Sequence, residues 1–225
     1  MSGIACCVIT DGRRDCIERT IASVESMTTG IDPAMKFIYD DSASPMHREF
    51  LRQQFEPLGY KITNGLFRQG FAGAVRAGWD ILRGSSAEWL TWHEDDFVFN
   101  EPIDWVELTV PLVLDERIAQ MSLKRQAWSP EEIAAGGFVE LNPDAYSEAR
   151  HSDLVWTEHT VCFSTNPSIF HRSIVENHEW PEGSESEGHF TIKLRDAGYR
   201  FGIWGGKFDP PKVTHIGETR RRKGY

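Results

Sequence analysis

The sequence has few cysteines and no long hydrophobic run, and both absences exclude whole classes of protein. Its four cysteines show no CxxC spacing and are too sparse for a disulfide scaffold. No apolar run approaches the ~18 residues that a membrane helix needs. The first ten residues, MSGIACCVIT, lack the basic region and the cleavage site of a signal peptide. We therefore expect a cytoplasmic protein with reduced thiols and no integral membrane segment.

Basic residues are also scarce. The chain carries 24 Lys and Arg against 34 Asp and Glu, which gives a formal net charge of −10. A general nucleic-acid binder needs a basic surface, so no nucleic-acid partner is expected. The strongly basic stretch at 220–223 is interpreted either as a lid over a diphosphate or as a solvated terminus.

The apolar content is sufficient for an ordinary globular core. Of the 225 residues, 40% are hydrophobic and 26% are charged. The sequence shows no repeat, low-complexity segment or convincing linker. We therefore interpret 1–225 as a single domain.

Short apolar runs alternate with helical patterns through the first hundred residues. Repeated strand–helix units with short connections predict an α/β fold, with helices on both faces of a mostly parallel sheet. In such sheets the ligand lies beyond the carboxyl ends of the strands. The predicted strands are 5–10, 35–39, 60–64 and 89–93, and the predicted helices start at an Asp15 cap, at Ser44-Pro45 and at Gly70.

The second half of the chain is less regular. Ser129 begins a capping-box pattern that predicts a short helix. The stretch 136–150 is rich in Gly, Pro, Asn and Asp and is predicted to be a loop. The remaining predicted elements are helices at 105–114 and 186–197 and strands at 118–123, 155–163, 168–170 and 199–204.

Three adjacent acidic residues, Glu94, Asp95 and Asp96, directly follow the fourth predicted strand. Neighbouring carboxylates repel one another, which costs stability unless a cation compensates their charge. Mg²⁺ and Mn²⁺ take oxygen ligands and share them with substrate phosphates. The cluster is therefore either a metal site at the ligand edge of the sheet or a solvated acidic turn.

Other polar residues follow the first two predicted strands at the same edge. Asp40 and Asp41 follow the second strand, although Asp is also common there for turn reasons. Arg13 and Arg14 follow the first strand and are either ligands for a phosphate or base or surface arginines. In the stretch 68–74, small residues open a helix that either faces a phosphate or ribose or packs closely on the sheet.

In their order along the chain, these motifs resemble those of glycosyltransferases of the GT-A fold, particularly the large family-2 group. The first strand runs into VITDGRRD, an Asp pair follows the second strand in YDDSAS, and a Gly/Ala-rich helix follows in RQGFAGAVRAGWD. HEDDF is a DXD-type motif, and SESEGHFTIKLRDAGYRF carries an acidic residue about a helix-length before a Gly-Tyr pair. VTHIG contains His215. The resemblance covers nearly the whole chain.

The resemblance implies a metal-dependent glycosyltransferase that moves a sugar from a nucleotide diphosphate, by default a UDP-sugar, to an acceptor hydroxyl with inversion. The implied metal ligands are Asp96 and His215, with Glu94 as a further candidate. A histidine nitrogen favours Mn²⁺ over Mg²⁺. Glu187 is implied as the base that deprotonates the acceptor, and Glu185 is the neighbouring alternative.

The same resemblance implies that 1–100 is the nucleotide-binding half, and that 101–225 is the acceptor-binding half with a C-terminal metal and lid segment. The acceptor is a protein, a small molecule or an oligosaccharide. The implied donor-binding residues are Thr10, Arg13, Asp40, Asp41, Arg68, Gln69, Phe71, Ala74, Glu94 and Asp95.

Two other functions stay open at this point. A nucleotidyltransferase shares the nucleotide, the metal and a similar sheet, although TDGRRD differs from its glycine-rich signature. A non-catalytic module that binds a nucleotide sugar or a glycan is the other alternative, because Ser186 stands where the family has an acid. The tryptophans of the second half are either sugar-stacking surfaces or core residues, and His93 is expected to pack at its strand end.

Overall fold

The computed structural model describes residues 3–217, in which a nine-stranded sheet runs through both halves of the chain. The basic stretch at 220–223 lies outside the described residues. The strands are β1 (Ile4–Thr10), β2 (Thr28–Thr29), β3 (Ile31–Asp40), β4 (Tyr60–Asn64), β5 (Trp89–Glu94), β6 (Phe97–Phe99), β7 (Ile103–Asp104), β8 (Ile118–Ser122), β9 (Tyr146–His151), β10 (Leu154–His159), β11 (Ser168–His171), β12 (Arg200–Trp204) and β13 (Val213–His215).

The helices alternate with the strands in the first half and are shorter in the middle of the chain. Within residues 3–217, every helix is too short or too polar to cross a lipid bilayer. The helices are α1 (Arg14–Met27), α2 (Pro45–Phe55), α3 (Gly70–Gly84), α4 (Trp105–Leu114), α5 (Pro130–Ala135), α6 (Phe138–Leu141), α7 (Arg172–Asn177) and α8 (Ser186–Asp196), with 3₁₀ turns at Glu56–Leu58 and Pro143–Ala145.

The strand order of the large sheet is β4-β3-β1-β5-β11-β8-β12-β10-β9. The strands from β4 to β5 pair in parallel, as predicted, and β8 pairs in parallel with β12. The α/β class is therefore confirmed, but the sheet is mixed rather than mostly parallel. Its second half departs from the prediction because β11 runs antiparallel to both β5 and β8, and β10 runs antiparallel to β12 and β9.

Strand β1 is buried on both faces, as expected for a strand inside an α/β sheet. Cys7 packs in the same cluster as Trp79 of α3. Val8 points to the other face, where it packs with Ile17 of α1 and Leu51 of α2. The predicted helices on both faces of the sheet are thus confirmed, and their packing fixes the carboxyl ends of β1, β3 and β5 side by side.

Two helix starts confirm the predicted caps. The Ser44 hydroxyl accepts a hydrogen bond from His47 N at 3.3 Å, and the Ser129 hydroxyl accepts one from Glu132 N at 3.1 Å. The predicted Asp15 cap is wrong. Helix α1 starts two residues earlier than predicted, with Arg13 at its N-cap, and Asp15 lies in the first turn, where its charge still favours the helix dipole.

The predicted loop at 136–150 is also wrong in part. It contains helix α6 and most of β9, which pairs with β10 over six residue pairs. Because β9 is an edge strand, most of its side chains are exposed and can be polar. Its sequence therefore lacks the apolar signal of the central strands.

Candidate active site

Arg13 lies at the centre of the polar edge formed by β1, β3 and β5. Its two terminal nitrogens contact the carboxylates of Asp95 and Asp96, and its Nε lies 3.2 Å from Asp11 Oδ1. The guanidinium is mostly buried. Burial alone would lower the pKa of Arg13, but the neighbouring carboxylates outweigh it and raise that pKa. A permanent positive charge thus compensates the acidic cluster from within the protein.

Asp95 supports this edge instead of presenting a free surface. Its Oδ2 accepts a hydrogen bond from Thr10 Oγ1 at 2.6 Å, and its backbone oxygen accepts one from Thr20 Oγ1 at 2.8 Å. Burial raises the pKa of Asp95 to about 7, against the opposing effect of Arg13. Since Asp95 and Thr10 are 1% and 2% exposed, we revise their predicted donor-binding roles to support of the site.

The start of helix α3 holds a carboxylate of the protein itself. Asp41 accepts hydrogen bonds from Gln69 N at 2.8 Å and from Gly70 N at 2.9 Å. Arg68 Nη2 lies 2.9 Å from Asp11 Oδ2. The hypothesis that these helix N–H groups face a phosphate is corrected accordingly, because Asp41 already occupies them.

Asp40 is an edge residue with an unpaired acceptor oxygen. Its Oδ1 accepts a hydrogen bond from Ser42 N at 2.9 Å. Its Oδ2 is buried and has no hydrogen-bond partner among residues 3–217. Buried polar atoms are nearly always paired, so this oxygen suits an N–H group of a ligand.

The remaining residues of the 68–74 stretch differ in their positions. Gln69 Nε2 donates to the Tyr39 hydroxyl at 3.0 Å. Phe71 packs edge-on against Trp180 with ring centroids 6.3 Å apart. Ala74 is 2% exposed and lies in the core, so we remove it from the predicted donor site.

Asp96 and His215 meet across the join between the two halves of the chain. His215 Nε2 lies 3.0 Å from Asp96 Oδ2, while Asp96 Oδ1 is buried without a partner among residues 3–217. Burial alone would raise the pKa of Asp96, but the hydrogen bond with His215 and the charge of Arg13 lower it. Asp96 therefore keeps its negative charge.

The imidazole of His215 packs against two aromatic rings. It stacks on Phe97 with ring centroids 4.7 Å apart, and its centroid lies 4.2 Å from the ring centroid of Trp128. The Gln126 side chain bonds to both the backbone N–H and the backbone oxygen of His215. This ring is thus fixed between the polar edge and the neighbouring cleft.

The pair of Asp96 and His215 fits a divalent cation. A carboxylate with one unpaired buried oxygen next to an imidazole nitrogen suits Mn²⁺, and substrate phosphates and waters complete such sites. Glu94 lies on the cleft side instead. Within residues 3–217 no group of three His, Cys, Asp or Glu residues is arranged to hold a metal, so the protein would supply two ligands.

A cleft of about 540 Å³ adjoins this pair, and Glu94 and Glu187 both line it. Glu187 Oε1 accepts hydrogen bonds from Thr165 N at 2.7 Å and from Thr165 Oγ1 at 3.1 Å. Burial raises the pKa of Glu187, although Thr165 partly offsets this effect. Glu185 is exposed at the N-cap of α8 and is not among the residues that line the cleft.

Of the tryptophans in the second half, Trp128 is 38% exposed and lines the cleft. Trp156 and Trp180 are buried in the core.

His93 is fully buried, and its Nε2 lies 3.2 Å from Thr91 Oγ1. The predicted packing role of His93 is therefore confirmed. A second cavity of about 510 Å³ lies at the opposite edge of the sheet, where no predicted site residue lies.

Two residues of this site, Asp11 and Thr165, were not predicted from the sequence. Asp11 binds both Arg13 and Arg68, and its position directly after β1 was an available signal. Thr165 holds Glu187, but nothing in its local sequence distinguishes it from other loop threonines.

Comparisons with known proteins show the fold. No protein-family model matches the sequence, and a comparison with curated proteins also gives no match. Among solved structures, GalNAc-T7 with UDP, GalNAc and Mn²⁺ matches at 13% identity and a TM-score of 0.67, covering 96% of this chain and 44% of that one. The mannosyltransferase PcManGT from Pyrobaculum calidifontis, in complex with GDP-Man and Mn²⁺, matches at 14% identity and a TM-score of 0.62, covering 99% of this chain and 59% of that one.

The fold is therefore the GT-A fold, as the sequence motifs predicted. The chain spans about half the length of the two solved structures. At 13% and 14% identity, the similarity to these two structures shows the fold alone.

The buried His159 of the cleft should make the stability of the protein depend on pH. Burial lowers the pKa of His159 to about 4, whereas an unfolded histidine titrates near about 6.5. As pH falls between these values the unfolded chain gains a proton that the folded protein does not, so the free energy of unfolding decreases by up to about 3 kcal/mol. In urea unfolding at about pH 7 and about pH 4, His159→Gln should reduce this loss.

The matched control is His151→Gln, because His151 is exposed. It should keep the full acid-induced loss of stability. Equal losses in wild type and His159→Gln would contradict the lowered pKa.

Proposed function

We propose that this protein is a metal-dependent glycosyltransferase that transfers a sugar from a nucleotide-diphosphate donor to an acceptor hydroxyl with inversion of configuration. The observation that carries the proposal is the position of His215. Its Nε2 lies 3.0 Å from Asp96 at the polar edge, and its ring lines the cleft that contains Glu187. A donor at the edge and an acceptor in the cleft would therefore meet at this residue.

The nucleobase is proposed to bind at Asp40. When the Asp40 carboxyl is ionised, its unpaired Oδ2 can accept a hydrogen bond but cannot donate one. It therefore suits bases that present a ring N–H, such as uracil and guanine, over adenine and cytosine, which present a ring acceptor. The two solved structures named above contain UDP and GDP-Man, and a UDP-sugar is our first choice of donor.

The diphosphate is proposed to lie between the arginines of the edge and Asp96. Arg68 is about half exposed, so it can turn toward a phosphate while Arg13 keeps its contacts with the carboxylates. When bound, Mn²⁺ or Mg²⁺ supplies electrostatic stabilisation of the leaving diphosphate. Asp96 and His215 would hold it, and the stacking on Phe97 and Trp128 fixes the direction of the His215 nitrogen.

Glu187 is proposed to accept the proton of the acceptor hydroxyl. Because Thr165 binds only Oε1, Oε2 is available for a ligand in the cleft. A pKa raised by burial makes Glu187 a stronger base than an exposed glutamate once it is ionised.

We also propose a cytoplasmic location, since the described cysteines are all free thiols.

Asp40→Ala tests the donor site. Loss of a hydrogen bond to a charged group should weaken binding of UDP or a UDP-sugar by about ten- to hundredfold. The rate at saturating donor should change less, because this contact is the same in ground and transition states. Thermal shifts with nucleotide sugars, with and without Mn²⁺, measure the affinity.

Asp32→Ala is the matched control. Asp32 Oδ1 accepts a hydrogen bond from Ala34 N at 2.8 Å, the same local contact that Asp40 makes with Ser42, but it lies at the start of β3. Its donor affinity should equal that of wild type. Unchanged affinity in Asp40→Ala, or no stabilisation of wild type by any uridine or guanosine diphosphate sugar, would contradict the proposed donor.

A further inference from the structure

The wall of the cleft indicates which acceptors it takes. Trp128, Leu141 and Val161 line it and remain 38%, 51% and 42% exposed. Apolar side chains left exposed around a concave site are typical of surfaces that contact a ligand. The volume of about 540 Å³ is in the range of small-molecule sites.

The lining residues offer no free cation to an acidic acceptor. Within the described part of the chain, Arg125 is the single lysine or arginine of the cleft. Its two terminal nitrogens already bind Glu132, at 2.8 and 3.0 Å. Glu94 and Glu187 add two further carboxyl groups. A carboxylate or phosphate on the acceptor would therefore lose water here without gaining an ion pair with a lysine or arginine.

His159 supplies an uncharged polar contact. Its Nδ1 accepts a hydrogen bond from Val161 N at 3.3 Å, so in the neutral ring the proton is on Nε2. This Nε2 is buried and has no partner among residues 3–217. The residue lines the cleft and is 6% exposed, so its N–H suits a neutral oxygen of a ligand that enters deeply.

We propose that the acceptor is a neutral small molecule with an aromatic or other apolar body, seated against Trp128 and Leu141 with its hydroxyl at Glu187. This assignment rests on the proposed glycosyl transfer. In that reaction the hydroxyl oxygen bonds to the anomeric carbon, and the bond from this carbon to the diphosphate oxygen breaks with its electron pair leaving on the diphosphate. The hydroxyl proton passes to Glu187.

Three glycosides test separately how an aromatic group and a negative charge on the ligand affect binding in the cleft. Phenyl glucoside is neutral and aromatic, methyl glucoside lacks the ring, and phenyl glucuronide adds a carboxylate. Calorimetry should show phenyl glucoside binding at least about tenfold more tightly than the other two. Leu141→Ala should weaken phenyl glucoside about three- to tenfold and leave methyl glucoside unchanged. Leu114→Ala is the matched control, because Leu114 is also 51% exposed but does not line the cleft.

Equal or tighter binding of the glucuronide, no binding of phenyl glucoside, or an identical effect of the two leucine variants would each overturn the proposal. UDP-sugar binding is measured on the same preparations to separate the two proposals. Donor binding without phenyl glucoside binding rejects the acceptor class and keeps the transferase. Phenyl glucoside binding without any nucleotide-sugar binding rejects the transferase and keeps the ligand class of the cleft.

Discussion

Asp96→Ala is expected to lower sugar transfer about a thousandfold or more, and to make nucleotide binding independent of Mn²⁺. Asp96 carries the unpaired buried oxygen next to His215, and loss of electrostatic stabilisation of a leaving diphosphate costs several kcal/mol, or about 10³-fold in rate. The fold should persist, because Arg13 keeps its contacts with Asp95 and Asp11. Transfer assays and nucleotide titrations over a range of Mn²⁺ concentrations measure both effects.

Asp95→Ala is the informative contrast. Asp95 lies next in sequence, but its side-chain oxygens bind Thr10 and Arg13. Its loss should mainly lower the melting temperature. An Asp96→Ala protein with near-normal, Mn²⁺-dependent turnover would refute the assignment of the metal ligand.

Glu187→Gln should reduce transfer by about 10²–10⁴-fold, the usual contribution of a general base. Glutamine keeps the size of the side chain and can still accept the Thr165 hydrogen bonds, so donor affinity and melting temperature should stay close to wild type. The raised pKa of Glu187 has a second consequence. The wild-type rate should fall as pH is lowered through this pKa, because the protonated acid cannot accept the acceptor proton, and the variant should lose this dependence.

Glu185→Gln is the matched control, since Glu185 is exposed at the N-cap of the same helix. It should be fully active. If Glu185→Gln loses activity and Glu187→Gln keeps it, the base is Glu185. If both are active, the protein either retains configuration or uses another base.

The sequence was informative where function depends on strand ends. A parallel sheet brings the carboxyl ends of neighbouring strands together whatever their separation in sequence, so Arg13, Asp40 and Asp96 could be placed at one edge from the strand pattern. Helix phase was also readable. Val75, Trp79 and Leu82 recur at helical spacing in α3 and lie on its buried face, with Ala74 beside them. The same phase places Ala74 on the buried face of α3, away from the donor site.

Contacts that loop residues make with distant helices could not be predicted from the strand and helix patterns. Asp41 occupies the start of α3 across 28 residues, and Thr165 holds Glu187 across 22. Neither contact follows from a repeating pattern, because Asp41 and Thr165 lie in irregular segments that are placed by the rest of the fold. The contacts of Asp41 with the backbone at the start of α3 could not be predicted for this reason.

The burial of Arg13 among three carboxylates has a consequence for how the protein is made. In small metal-binding domains the chain often remains unfolded until the ion arrives, because only the ion cancels the repulsion of its ligands. Here the guanidinium of Arg13 offsets part of the repulsion among Asp11, Asp95 and Asp96. If Asp96 and His215 hold a metal ion as proposed, folding would not depend on that ion, and a cell short of manganese would still accumulate the folded protein.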